Sequence, residues 1–593
     1  MITNRLRNAT TPKPGESPKN SHKKQFHVVL IKPSHYDDDG YVIQWMRSAL
    51  PSNTLAAMYG LTQDVNARKV LGKDVEIVLD AYDETNTRIP VKQIISNIRH
   101  SDAGFVGFVG VQSNQFPRTM DMAKQFREAD IQVCIGGFHI SGCLSMLPEL
   151  PDDIHHAQEM GISLFAGEAE NHLEEVFRDA YAGAMKPLYN YLGHLPDVQS
   201  QPTPFLPTTI IKRSIGTVSS FDAGRGCPFV CSFCTIINVQ GRKSRRRSAN
   251  DIEQIVRRNA DQGVGRFFIT DDNFARNRDW EKIFDRLIML REKEGMTISL
   301  SIQVDTMSHK IPHFIEKAGK AGVRRAFIGL ENINPDNLKI AGKKQNKITE
   351  YRKLMQAWRS AGVITCAGYI LGFPADTPEQ IVNDIEIIKR ELPVDLLEFF
   401  ILTPLPGSAD HQDLHQRGVW MDSDMNKYDL NHVTTKHAKM SREEWEQAYQ
   451  LAWDTYYTPE HIETVLKRSR ASGISVGKMM FLMLWFYGCH KFERLHPLEG
   501  GYFRHKYRLD RRPGMPIENP FVFYPRRVWE VIYRHICIAV MLLKFARVRR
   551  RIKSDPEAFD YIDTALMPMN ETENEIDNIE LLAAQQKKAS LSA

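Results

Sequence analysis

Two long stretches of this chain alternate short apolar runs with amphipathic segments, and no other feature restricts its fold so tightly. In the first stretch HVVLIKPS, DVEIVLDAY, AGFVGFVGV and IQVCIGG read as strands, separated by helical patterns such as SNTLAAMYGLTQDVNARKVLG, VKQIISNIRH and MDMAKQFREAD. Strands buried on both faces and joined by helices require a parallel sheet with helices packed on either side. In the second stretch TVSSFDAGR, RFFITDDNF, ISLSIQVDT, RAFIGLENI, ITCAGYILGFP and LLEFFILTPLPGS are the strands, each reached through a helical pattern.

The first series predicts an α/β, doubly wound domain of flavodoxin or Rossmann-like type over 25–190, with ligands at the carboxyl ends of its strands. The second holds six βα units, too few for a closed eightfold barrel. Residues 215–410 are therefore expected to form an open, partial (β/α)6 TIM-like barrel, again with its chemistry at the C-terminal strand ends. A Pro- and Thr-rich stretch, 191–214, reads as a linker. Residues 411–570 read as a mainly helical region, with a disordered polar tail at 1–24 and a flexible one at 571–593. Hydrophobic residues make up 42% and charged residues 25% of the chain, as in soluble globular proteins. A net charge of +5 over 593 residues gives no reason to expect nucleic acid. No apolar run is long enough to span a bilayer. Five cysteines (Cys134, Cys143, Cys366, Cys489, Cys537) are scattered and the N-terminus lacks a secretory apolar core, which points to a reducing cytoplasm.

The other three cysteines, Cys227, Cys231 and Cys234, lie within GRGCPFVCSFC. Inert core thiols on a helix are one reading, but Gly224, Gly226 and Pro228 disfavour a helix there. Structural zinc needs a fourth ligand and no second pair is present. A catalytic thiolate needs a base rather than two more thiols. An iron-sulfur cube held by three thiolates, with one iron open to an outside ligand, suits the spacing best.

At this point the chain resembles the radical S-adenosylmethionine (SAM) superfamily, over roughly Val218 to Ser408. Cys227, Cys231 and Cys234 match its cluster motif, with aromatic Phe233 before the last cysteine. The resemblance implies a [4Fe-4S] cluster that binds SAM at its open iron and generates a 5′-deoxyadenosyl radical. The electron is expected from a reductase or flavodoxin-type donor. The resemblance also assigns cofactor-binding positions: Asp271, Asp272 and Asn273 in FFITDDNF toward the methionine amino group, and Gln303 and Asp305 in SIQVDT toward ribose or carboxylate. Gly329 and Glu331 in FIGLENI and Gly372 in GYILGFP complete the set. Asp271 or Asp272 could instead be an N-cap, and the glycines could simply make tight turns. GRKSRRR (241–247) is expected to be solvated, with one or two arginines among Arg245 to Arg247 facing the site. No residue is singled out as catalytic.

A doubly wound domain before such a barrel resembles the cobalamin-dependent branch of the superfamily. Gly136 and Gly137 would let the nucleotide tail of cobalamin lie against backbone, and Glu168 and Glu170 match a GE-x-E pattern. A DxHxxG motif for an axial histidine is absent, and His139 is expected to be a satisfied structural residue. The branch includes methylases of unactivated carbon and oxidative cyclases that transfer no methyl, and both stay open, beside a non-enzymatic metal-binding module. The tRNA methylthiotransferase branch would need three further cysteines in the first domain, which holds only Cys134 and Cys143. The C-terminal runs MMFLMLWFYG and VWEVIYRHICIAVMLLKFARVRRRIK either pack on the barrel or touch a membrane surface, which leaves small-molecule and lipid-like substrates open. HPLEGGYFRHKYRLDRRPGMPIENPFVFYPRR is a loop that could cover the active-site mouth.

Overall fold

The computed structural model describes residues 23–342 and 348–568. Apart from Lys23 and Lys24, the tails expected at 1–24 and 571–593 lie outside or at the edge of the described residues. The first seven strands are β1 (Lys24–Lys32), β2 (Gln44–Ser48), β3 (Val75–Asp83), β4 (Ala103–Phe108), β5 (Gln132–Gly136), β6 (Ser163–Ala166) and β7 (Leu188–Asn190). All but β2 form one parallel sheet in the order β3-β1-β4-β5-β6-β7. The order reverses between β1 and β4, and this switch point opens a crevice at the carboxyl edge of the sheet. Residues Val28 to Ile31 of β1 are all buried because the pleat sends them to two separate cores. Val29 and Ile31 join one, Val28 and Leu30 the other.

The second unit holds β8 (Val218–Phe221), β9 (Gly224–Arg225), β10 (Arg245–Arg246), β11 (Arg266–Ile269), β12 (Ser299–Val304), β13 (Val323–Glu331), β14 (Ile364–Leu371) and β15 (Leu396–Ile401). Six of these form a parallel sheet in sequence order, β8-β11-β12-β13-β14-β15, and β9 pairs with β10 in a short antiparallel ribbon. Every residue of β14 is buried. The open β15 side is covered by the helix Arg442–Tyr456, started by a Ser441/Glu444 capping box. Trp445 Nε1 donates to Leu371 O (3.3 Å), Tyr456 to Val394 O (3.1 Å) and Tyr457 to Leu397 O (2.9 Å), so aromatic hydroxyl and indole groups satisfy backbone there.

The 191–214 stretch is packed rather than loose. Phe205 N donates to Ala56 O (2.9 Å), and Leu206 and Ile211 are buried. The C-terminal region is helical at Pro459–Ala471, Val476–Gly488 and Pro520–Ser554, but it also returns to the first unit. There β16 (Gly501–His505) pairs antiparallel with β2. Gly501 is required at this crossing, since a Cβ would stand 2.1 Å from Trp45 Cγ.

Candidate active site

The three cysteines sit on an irregular loop directly after β9. Gly226 turns it with φ +88°, and a Cβ there would lie 2.6 Å from Lys243 O. Cys227 N donates to Gly241 O (3.3 Å) and Cys234 N to Cys231 O (3.2 Å), before a short helix at Ile236–Val239. None of the chain's eight cysteines is in a disulfide. Burial pushes the Cys234 thiol up to about 12, and Cys231, Asp272 and Cys227 push the same way, so these groups share one neighbourhood. Three thiolates there are costly unless a cation offsets them, and an iron-sulfur cluster supplies that charge. Among the described residues no three His, Cys, Asp or Glu converge on the position of a single metal ion. A cube differs in offering each thiolate its own iron. The donor set therefore fits the cluster.

Asp271, Asp272, Asn273, Gln303 and Asp305 gather beside this loop at the ends of β11 and β12. Asp271 Oδ1 accepts from Ala223 N (2.6 Å) and Gly224 N (2.8 Å), which fastens the start of the cysteine loop. Burial raises its carboxyl to about 7 against the pull of those amides. Burial likewise raises Asp272 to about 6, opposed by the Gly226 amide. Gln303 Nε2 donates to Asp271 O (3.3 Å) and Asn273 Nδ2 to Asp305 Oδ2 (2.8 Å). Asp305 is gripped by Arg276 at 2.5 and 2.9 Å. Asn273 Oδ1 is buried without a hydrogen bond among the described residues, an acceptor suited to a ligand ammonium. Gly329 pairs in register with Gly368, and Glu331 follows it past a bulge with φ +65°. Gly372 is set apart. Its φ is +105°, and a Cβ would fall 1.8 Å from Trp445 Cζ2, so its missing side chain makes room for that indole.

The basic run is solvated only in part: Arg242 and Lys243 are exposed, but Arg245, Arg246 and Arg247 are tied to acids. Arg247 is fully buried, and its Nε donates to Asp222 O (3.0 Å). Arg245 pairs with Glu168, and Arg246 with Asp279. Sequence alone could not show this, because the acidic partners lie in other elements. Glu168 and Glu170, which follow β6, turn out to bind the barrel. Arg225 donates to Glu168 (2.8 Å), Glu170 (2.6 and 3.0 Å) and Asp222 (3.0 Å). Burial alone would raise the Glu170 carboxyl, but Arg225 holds it below the usual range. His139 is buried, between Ser113 Oγ (3.2 Å) and Asp153 Oδ2 (3.1 Å).

Two of the cavities between the units bear on the site. The larger, of about 730 Å³, is bounded by the switch point (Ser34, His35, Gly110, Gln112), the cysteine loop (Phe233, Thr235, Ile236) and barrel strand ends that include Glu331 and Gly368. The smaller, about 190 Å³, lies against the first sheet and is lined by Phe105, Gly136, Gly137, Phe165 and Gly167. Gly136 and Gly137 thus face a glycine-rich apolar slot. The larger cavity is closed on one side by Leu498, Glu499 and Gly500, which belong to the segment expected to cover the active-site mouth. Burial, then Asp429, raises the Glu499 carboxyl to about 8, and burial lowers the neighbouring His35 to about 4. Glu499 Oε1 stands 3.5 Å from both His35 Nε2 and Asn114 Nδ2.

A three-cysteine loop stands at the mouth of six parallel strands, and residues 223–388, which span most of this unit, match the family model described as Radical SAM superfamily. Two relatives extend the likeness beyond the barrel. The bacteriochlorophyllide d C-8(2)-methyltransferase of Chlorobaculum tepidum is 27% identical over 56% of this chain and 74% of its own length. The hopanoid C-2 methylase of Rhodopseudomonas palustris is 24% identical over 58% of this chain and 66% of its own. In fold the chain is similar to the radical SAM methyltransferase TsrM of Kitasatospora setae, solved with cobalamin and a [4Fe-4S] cluster. That likeness covers 74% of this chain and 90% of TsrM, at a TM-score of 0.54 and 15% identity.

Proposed function

We propose that this protein is a cobalamin-dependent radical SAM methylase acting on an unactivated carbon of a largely apolar small molecule. One observation carries the reading: a single cavity of about 730 Å³ touches the switch point of the first sheet, the cysteine loop and the barrel strand ends. A corrinoid, a cluster with its SAM, and a substrate would then share one space from which water can be excluded. Cys227, Cys231 and Cys234 would hold the cluster; when bound, that group supplies one-electron cleavage of SAM. Asp271 would hold the loop in shape and Asn273 Oδ1 would accept from the methionine ammonium. Gly136 and Gly137 would let the corrinoid tail lie against backbone. Glu499, protonated at neutral pH, would donate a hydrogen bond from its carboxyl to a substrate oxygen.

The test is anaerobic reconstitution of the full chain with iron, sulfide and hydroxocobalamin. About four irons and one corrinoid per chain are expected, with 5′-deoxyadenosine and S-adenosylhomocysteine both formed from SAM under reduction. 5′-Deoxyadenosine without S-adenosylhomocysteine would replace the methylase with an oxidative cyclase or oxidase.

A further inference from the structure

The Pro520–Ser554 helix has 35 residues and buries only Phe523, Met541, Phe545 and Ile552. At 3.6 residues per turn and 1.5 Å per residue it is about 52 Å long, and those four residues fall on one stripe. The opposite side carries Phe521 (87% exposed), Val528, Trp529 (66%), Ile536, Val540 and Leu543 (65%). Single exposed apolar residues are ordinary, but a row along most of a helix is not. The charged residues between Phe521 and Leu543 are Arg526, Arg527, Glu530 and Arg534, all on the inner half of the helix. Beyond Leu543 the helix turns basic, with Arg547, Arg550, Arg551 and Lys553 exposed. Over its length it holds nine bases and one acid; Arg526, Arg527, Arg534 and Arg551 pair with Glu518, Glu530, Glu493 and Glu463, which leaves Lys544, Arg547, Arg549, Arg550 and Lys553 without an ion pair among the described residues.

That imbalance chooses the occupant. A second copy laid on this face would bring like charges together, whereas anionic headgroups would neutralise them. Among the described residues no helix is long and apolar enough to cross a membrane, so the fitting geometry lies in the plane of the surface. Exposed Ile517 and Leu509 lie in sequence between this helix and Leu498, which lines the large cavity.

We propose that this helix docks the protein on an anionic bilayer, with its apolar stripe at the headgroup boundary and its basic last turns on lipid phosphates. The docking does not depend on the reaction proposed above. It is tested by sedimenting the full chain with vesicles of phosphatidylcholine alone or mixed with phosphatidylglycerol. Pelleting with the mixed vesicles, reversed by salt, is the expected result. Val528→Glu with Ile536→Glu is expected to lower partitioning at least about tenfold, and Arg547→Gln or Arg550→Gln about fivefold each. All four positions are exposed, so melting temperatures are expected to stay unchanged. The proposal is overturned if the wild-type chain stays in solution with both vesicles, or if the double glutamate variant pellets undiminished. A dimer abolished by that variant, with no vesicle binding, would assign the face to a second copy.

Discussion

Ionised sulfur is hard to bury, and burial and neighbouring groups push the Cys234 thiol upward, so three thiolates in this loop would need a compensating cation. Cys231→Ala is therefore expected to reduce bound iron from about four per chain to background, measured by iron assay and visible absorbance. Cys143→Ala and Cys489→Ala are expected to keep the iron and to cost about 1–3 kcal/mol of stability as small buried cavities. Glu499 yields a pH prediction of definite sign. Its folded pKa is raised from the ordinary carboxyl value to about 8, so the folded state holds its proton more tightly than the unfolded chain does. Stability tied to this group is present in acid and declines as pH rises through about 8. Glu499→Gln should thus gain stability relative to wild type at pH 9 and show little gain at pH 4, read from melting temperatures across the range. The cysteines could be recognised in sequence because their spacing is local. Glu499 could not, because its perturbation comes from Asp429 and burial, and neither is written near position 499.

Among the elements, the glycine turn after β5 places backbone against backbone. Gly137 has φ +153°, and a Cβ would stand 2.2 Å from Val111 N. Gly137→Ala should displace this turn at a cost of about 1–3 kcal/mol and weaken corrinoid retention at least about tenfold, with iron content unchanged. Equilibrium dialysis against hydroxocobalamin measures it. The longer strands of both parallel sheets follow from apolar runs, since a strand buried on two faces cannot hide its composition, whereas β7, of three residues, and β8, VSSF, carry little such signal. The pairing of β2 with β16 leaves no such trace. QWMRS and GYFRH are mixed in character, and their partnership joins distant parts of the chain.

For the molecule as a whole, the joint between the two units is ionic and largely buried. Arg225 meets three carboxylates, and Arg245 and Arg247 add to the same knot. Removing one member of a buried ion pair costs about 3–5 kcal/mol, whereas replacing both with apolar residues can be near neutral. Arg225→Met is expected to lower stability by that amount, and Arg225→Met with Glu170→Met to recover part of it, in calorimetric unfolding. The alternation of elements announced two units, but the basic run resembled a solvated surface because its counter-charges, Glu168, Asp222 and Asp279, come from segments after β6, β8 and β11.

The return of β16 to β2 has a consequence for biosynthesis. The wall formed by Leu498, Glu499 and Gly500 leaves the ribosome only after both sheets have been made. A nascent chain therefore keeps its reaction chamber open to solvent until that late segment arrives. Closure of that cavity is thereby set by where the β16 segment falls in the sequence rather than by either parallel sheet.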